Sequence, residues 1–412
     1  MHRGVTLFAV LLVPLACAVQ EGPGPVPSHA WPAFRGPHGQ GVAPTQDAPL
    51  TWNGKTGENV LWKVAVPGAG TNSPIVWGGR VFVSCGDESK LEVFGYEATT
   101  GKLLWRQEVK STADKAPKLM DGTTYAAPTL ATDGGHVFAI FATGDLAAFT
   151  MDGKKVWTVS LGLPKIDYGY TSSLMTGFGR VFVQFDQDKL GEPGAGRVLA
   201  FDAKTGGKIW EQKRAVEMAW SSPILANTGT RWELILNSEP LVTSLDPLTG
   251  RLLWSFKCMD GEVAPSPAWG GGVLFAVTDR AALVAIQPGD TPKKLWEYEQ
   301  DLPPASSPVA TDRHVFMASD SGTLSCLDVK TGKLAWRQES KEGIYGSLVL
   351  VGDRIYAMDR AGWTQVFRAG DRYENLAFNN LGEKGDCTPA FVEGRIFLRG
   401  EKHLFCIGKE AK

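Results

Sequence analysis

The chain has 412 residues, with 42 Lys and Arg against 44 Asp and Glu and a formal net charge of −2. Its basic and acidic residues are interspersed without any Lys/Arg-rich block, which argues against nucleic acid as a partner. The length exceeds the usual single-domain range, but helix signals are few and Gly and Pro punctuate short apolar runs throughout, so an almost all-β chain grown by repetition is expected.

Residues 1–18 hold Arg3, an apolar run over 5–15 and the small residues Ala16 and Ala18, the pattern of a secretory signal peptide. That run is too short to span a bilayer as a mature helix. Leu15-Ala16-Cys17 resembles the end of a bacterial lipoprotein signal, whereas Pro14 departs from it and Ala16-Cys17-Ala18 also fits ordinary cleavage before Val19. A lipid anchor at Cys17 and simple export therefore both stay open. Residues 19–58 read as an irregular arm. Within it Trp31-Pro32-Ala33-Phe34-Arg35-Gly36-Pro37 places two aromatics and an Arg that must go somewhere, either over the rim or channel of the body or onto a partner.

From residue 59 to 408 one unit recurs. It is clearest as SGTLSCLDVKTGKLAWRQ at residues 321–338, where alternation gives a strand, Asp328 to Gly332 a turn, and the segment around Trp336 a second strand. Copies end at Trp105, Trp157, Trp210 and Trp254, a lengthened copy ends at Trp296, Trp62 belongs to a half-unit, and residues 366–378 form a worn copy without Trp. Between the hairpins stands a second marker, small-Ser-Pro followed by a run such as Arg80 to Val83, so each repeat supplies four strands. A period of about 40 to 50 residues built from four short antiparallel strands describes a propeller blade. Only three strands fit after Thr388-Pro389, and residues 59–66 stand alone at the other end. The expected fold is an all-β, eight-bladed β-propeller of four-stranded antiparallel blades, the last closed by the N-terminal strand, with residues 409–412 as a short tail.

The motif Ala-x-Asp-x-x-Thr-Gly-Lys-x-x-Trp, nearly intact at residues 200–210, resembles the repeat of the quinoprotein-type eight-bladed propellers, over roughly residues 31–407. The resemblance implies one of two classes, dehydrogenases dependent on pyrroloquinoline quinone (PQQ) or the non-catalytic branch typified by the propeller lipoprotein of outer-membrane barrel assembly. In the dehydrogenases the quinone stacks between a Trp and a disulfide of adjacent cysteines, and calcium is held by Glu, Asn and Asp. Here no two cysteines are adjacent, and Glu217, Asn72, Asp386 and Asp167 lack calcium-loop spacing. No nucleophile elbow or zinc-binding His motif is present, and His136 and His314 fall in strands. Cys85, Cys258, Cys326, Cys387 and Cys406 read as small packing residues rather than a disulfide framework.

Two rings follow from the marker. Immediately before the Pro or its replacement stand Ser73, Ala127, Ser173, Ser222, Ser266, Ser307, Ser347 and Thr388, small residues suited to strands converging on an axis. Two residues earlier the ring is mixed, and Tyr125, Trp220 and Tyr345, with Asp386 and Asn72 as polar fixings, form a candidate aromatic mouth for a ligand or partner. The expectation is an exported binding or scaffold module of the periplasm or cell envelope, monomeric, with an envelope protein or peptide as partner, no catalytic residue, no metal and no cofactor. A divergent oxidoreductase using PQQ and calcium on alcohols or sugars, and a carbohydrate-binding propeller, are the alternatives.

Overall fold

The repeated Asp-x-x-Thr-Gly turn explains the architecture. In the hairpin of residues 328–332, one carboxylate oxygen of Asp328 accepts the N–H of Lys330 at 3.1 Å, the N–H of Thr331 at 2.8 Å and the Thr331 hydroxyl at 2.7 Å. Gly332 then turns the chain at φ 69°. The computed structural model describes residues 22–187 and 196–409; the expected signal peptide, residues 1–18 with Cys17, lies outside them. Eight four-stranded sheets form the body. Blades 1 to 7 occupy residues 75–109, 131–160, 175–214, 224–257, 268–298, 309–339 and 349–380, each with its strands in chain order from axis to rim. Blade 8 takes three strands from residues 390–407 and its outer strand from Val60–Ala65, which runs antiparallel to His403–Ile407 with Val60 opposite Ile407 and Ala65 opposite His403. The closure expected from the unpaired half-unit is therefore present. Among the described residues the one helical element is the three-residue turn Pro37–Gly39.

Neighbouring blades are joined by the Trp of one and the hairpin of the next. Trp296 of blade 5 donates its indole N–H to the carbonyl of Val329 at 2.8 Å, and its ring covers Gly332 so closely that a Cβ there would lie 2.6 Å away. Only Gly satisfies both the positive φ and that contact. The same bond to the next blade is made by Trp62 to Ala98, Trp105 to Met151, Trp157 to Ala203, Trp210 to Pro247 and Trp336 to Gly370, at 2.8–3.2 Å overall. Each of these indoles also packs on a second-strand Phe of its own blade, as Trp105 does on Phe82 at 5.7 Å.

Two joints depart from the rule where the repeat itself departs. Trp254 faces the lengthened hairpin of blade 5 and bonds instead to Glu233 Oε2 of its own blade at 2.7 Å. In blade 7 Ala377, paired with Val366, stands where the other blades have Trp. The arm supplies the missing ring: Trp52, 3% exposed, stacks on Tyr356 at 6.5 Å and 11°. Asn379 fixes the arm there, accepting the Trp52 backbone N–H at 2.9 Å and donating to the Leu50 carbonyl at 3.0 Å.

At the axis the small residues form a closed hydrogen-bonded circle. The N–H of Ser73 donates to Thr129 Oγ1, Thr129 to Ser173, Ser173 to Ser222, Ser222 to Ser266, Ser266 to Ser307, Ser307 to Ser347, Ser347 to Thr388 and Thr388 to Ser73, all at 2.9–3.1 Å. Blade 2 corrects the expected ring, since Thr129 and not Ala127 is its member. Alanine has no oxygen to accept the buried Ser73 N–H, and an orphaned donor there would cost roughly 1–3 kcal/mol.

Two stability outcomes follow. Gly332→Val should lower stability on the order of 3 kcal/mol or more through strain and overpacking, whereas Lys333→Ala, at an exposed site, should change it by less than about 0.5 kcal/mol; equal denaturation midpoints would contradict the joint. Trp52→Ala should cost about 3–5 kcal/mol despite lying in a Pro-rich arm, and a midpoint unchanged from wild type in urea would remove Trp52 from the blade 7 core.

Candidate functional site

The axial channel has two unlike ends. On the face bearing the Trp hairpins the arm crosses the disc, exchanging backbone bonds with blade 1 through Trp31 and Val76 at 2.7 and 2.9 Å, and with blade 7 from Ala43 to Leu350 and Leu350 to Gly41, both at 2.8 Å. The arm turns Arg35 into the channel. The side chain is 0% exposed, donates from Nη1 to Pro267 O at 2.9 Å and from Nη2 to Gln40 O at 3.2 Å, and reaches Pro308 O as well. Burial pushes its pKa down to about 9, which leaves it protonated at neutral pH. Phe34, next in the chain, reaches the floor of a cavity that opens on the opposite face. Of the two uses open to the Trp31–Pro37 segment, the structure displays the channel seal.

The open end is a pit of about 430 Å³. Its rim is the ring two residues before the hydroxyl circle: Thr71, Ala127, Thr171, Trp220, Ala264, Ala305, Tyr345 and Asp386 all line it. Trp220, Tyr345 and Asp386 are thus brought together as the spacing predicts. Trp220 meets Tyr168 edge-on at 5.4 Å, and its buried indole N–H has no partner among the described residues. Tyr345 is 38% exposed under the guanidinium of Arg360, 4.4 Å from the ring centroid, and Arg360 Nε also reaches Asp386 at 3.3 Å. Arg360 lies in the turn between the second and third strands of blade 7, outside the repeat marker, so the spacing argument does not find it. A second groove of about 1100 Å³, between blades 7, 8 and 1, joins the pit through Thr71, Arg360 and Asp386.

The other two candidates stand behind the wall. Tyr125 is 8% exposed and donates its hydroxyl to Pro117 O at 2.6 Å. The two-residue offset that puts Thr129 in the hydroxyl circle puts Ala127 at the rim and moves Tyr125 out of it. Asn72 is fully buried, donating to Ser84 O at 2.7 Å and Ala126 O at 2.6 Å and accepting from Arg399 Nη1 at 2.8 Å. It ties blades 8, 1 and 2 together.

A quinone with calcium does not fit these residues. The five described cysteines are free, and burial pushes the Cys387 thiol beside the groove up to about 11. No group of three or more His, Cys, Asp or Glu among the described residues is arranged to hold a metal. Asn72 spends its amide on backbone carbonyls, and Trp220 is met by Tyr168 rather than by a sulfur pair.

Rim and wall should respond differently to truncation. Arg360→Ala removes a solvent-exposed pair and should shift stability by less than about 0.5 kcal/mol, while Asn72→Ala orphans the buried Ala126 carbonyl and Ser84 N–H and leaves Arg399 Nη1 with Ser84 O alone, and should cost about 2–4 kcal/mol. Urea denaturation checks both, and the reverse order would overturn the assignment of rim and wall.

Comparison with known proteins bears on the family and the fold. The family described as "Outer membrane protein assembly factor BamB" matches residues 39–190, 194–312 and 304–403. The protein of that name from Salmonella typhimurium is 27% identical over 260 residues, covering 59% of this chain, and that from Escherichia coli is 26% identical over 258. The matched part spans about 60% of the length of these curated relatives. Among solved structures, BamB from Moraxella catarrhalis superposes with a TM-score of 0.62 at 14% identity, covering 84% of this chain and 99% of that one. The quinohemoprotein alcohol dehydrogenase from Comamonas testosteroni gives 0.67, also at 14% identity, covering 93% of this chain and 81% of that one. These structural likenesses reach no further than the fold. The family match extends over most of the chain, and the chain belongs to the family described as outer membrane protein assembly factor BamB.

Proposed function

We propose that this chain is an exported, non-catalytic propeller that binds a protein segment at the cell envelope during outer-membrane protein assembly. The observation that carries the reading is the asymmetry of the channel: one end is sealed by the chain's own arm, while the other opens through Trp220, Tyr345 and Arg360. Aromatic and Arg side chains at the mouth of a pocket are the residue types that dominate binding energy at protein interfaces. Family membership supports the same reading. Among the described residues no helix is long and apolar enough to cross a membrane.

The test uses the purified full chain immobilised against an envelope extract, with captured proteins identified by mass spectrometry. Trp220→Ala and Tyr345→Ala should each reduce capture of outer-membrane assembly proteins by about tenfold or more with unchanged melting. Tyr125→Ala should act on stability instead. Added PQQ with calcium should leave the melting temperature unmoved. A ligand at 100 times its dissociation constant would add roughly 2.7 kcal/mol, so a rise of that size, or dye reduction with alcohols lost in Trp220→Ala, would overturn the proposal.

A further inference from the structure

Around the Phe34 ring, the pit floor is a circle of hydroxyl groups whose protons have no acceptor among the described residues. Each oxygen of the axial circle accepts one backbone N–H, and a hydroxyl carries a proton to donate in addition. None of the eight donates to any acceptor among the described residues, and Ser73, Thr129, Ser173, Ser222, Ser347 and Thr388 face the pit. Directly behind the circle lies Arg35. It holds the carbonyls of Pro267 and Pro308, the residues that follow circle members Ser266 and Ser307, and its Nε has no partner among the described residues. No carboxylate among the described residues pairs with it. A buried cation without a counter-charge is unfavourable, and convergent O–H donors in front of it favour an anion.

The walls narrow the choice of anion. Trp220, Tyr168 and Tyr345 give the pit an aromatic upper half, so the charge must be attached to an apolar group. Asp121 and Asp386 stand at the rim, with Asp386 held by Arg360, which suits one negative charge better than two. The volume of about 430 Å³ lies within the range of small-ligand sites and admits roughly one large residue.

We propose that the axial pit binds a carboxylate joined to an aromatic or aliphatic group, the chemistry presented alike by the C-terminal residue of a peptide and by a free aryl-alkyl carboxylate. This deepens the reading of the open face as a binding face and names what its floor recognises. The carboxylate would sit on the hydroxyl circle with Arg35 beneath, and the apolar group would rest between Trp220 and Tyr345.

The full chain can be titrated calorimetrically with N-acetylphenylalanine and with its amide, then with an Ala-Ala-Phe tripeptide whose C-terminus is free or amidated. The free acids should bind, and the amides about tenfold more weakly or worse, since the amide loses the charge and its assisted hydrogen bonds. Trp220→Ala should weaken the acid severalfold, and Thr388→Val should weaken it more than Thr388→Ser, which retains the hydroxyl. A tripeptide tighter than the single residue points to a peptide terminus as the source, and equal affinity points to a free carboxylate; either supports the site. Acid and amide binding equally, or no binding of the acid at millimolar concentration, would overturn it. Because these probes contain no envelope protein, loss of envelope capture with intact acid binding would sink the assembly reading alone.

Discussion

The indole of one blade resting on the hairpin turn of the next is the contact from which the remaining structure follows. It combines a hydrogen bond of about 3 Å to a turn carbonyl with close coverage of a glycine that has no Cβ to obstruct the ring. The bond satisfies the indole N–H as the ring is buried, and the glycine is needed for the turn in any case. A blade with a Trp at its rim and an Asp-x-x-Thr-Gly turn at one end is therefore a bivalent piece, able to give and receive the same contact. Repetition of such pieces ends stably only when the first meets the last. Trp62, on the strand that the N-terminus lends to blade 8, makes that final contact with Ala98 of blade 1.

The joints lacking this contact show how such a fold absorbs error. Between blades 4 and 5 the longer turn has no carbonyl in place, and Glu233 takes the Trp254 indole while also accepting from Ser244 at 2.7 Å and Arg231 at 2.9 Å. Between blades 7 and 8 the ring comes from elsewhere in the chain, as Trp52. The arm is thus fastened at several places at once: at blade 7 by Trp52, at blade 1 by Trp31, and at the axis by Arg35. A segment so fastened closes one end of the channel, and the opposite face is the open one.

At that face the hydroxyl circle and the rim above it are one register. The rim residue is always two before the circle residue because side chains in extended backbone alternate, so the pair points into the channel from every blade. Smallness is required only where the strands converge. Two residues higher the channel widens, and Trp220 and Tyr345 can stand beside Ala264 and Ala305 without conflict. Neutral hydroxyls below and aromatic surface above thus arise from one geometric taper, and Arg360 enters from a different turn of blade 7 to cover Tyr345.

The repeat, the four strands per blade, the Trp hairpin and the loan of residues 60–65 to the last blade were legible in the amino-acid order. Each rests on contacts within about a dozen residues or on a count of strands that must balance around a ring. Trp220, Tyr345 and Asp386 were legible as rim residues for the same reason, being at constant spacing from the Ser-Pro marker. Tyr125 and Asn72 were not placed by that count, because blade 2 carries Thr129 where the marker points to Ala127 and Asn72 lies one position off the rim, turned into the wall. Trp52 filling the gap left at Ala377, Arg35 beneath the circle and Arg360 over Tyr345 were decided by tertiary structure alone. The first two join segments more than 200 residues apart. No local pattern records which vacancy a distant side chain will fill; only packing the ring does.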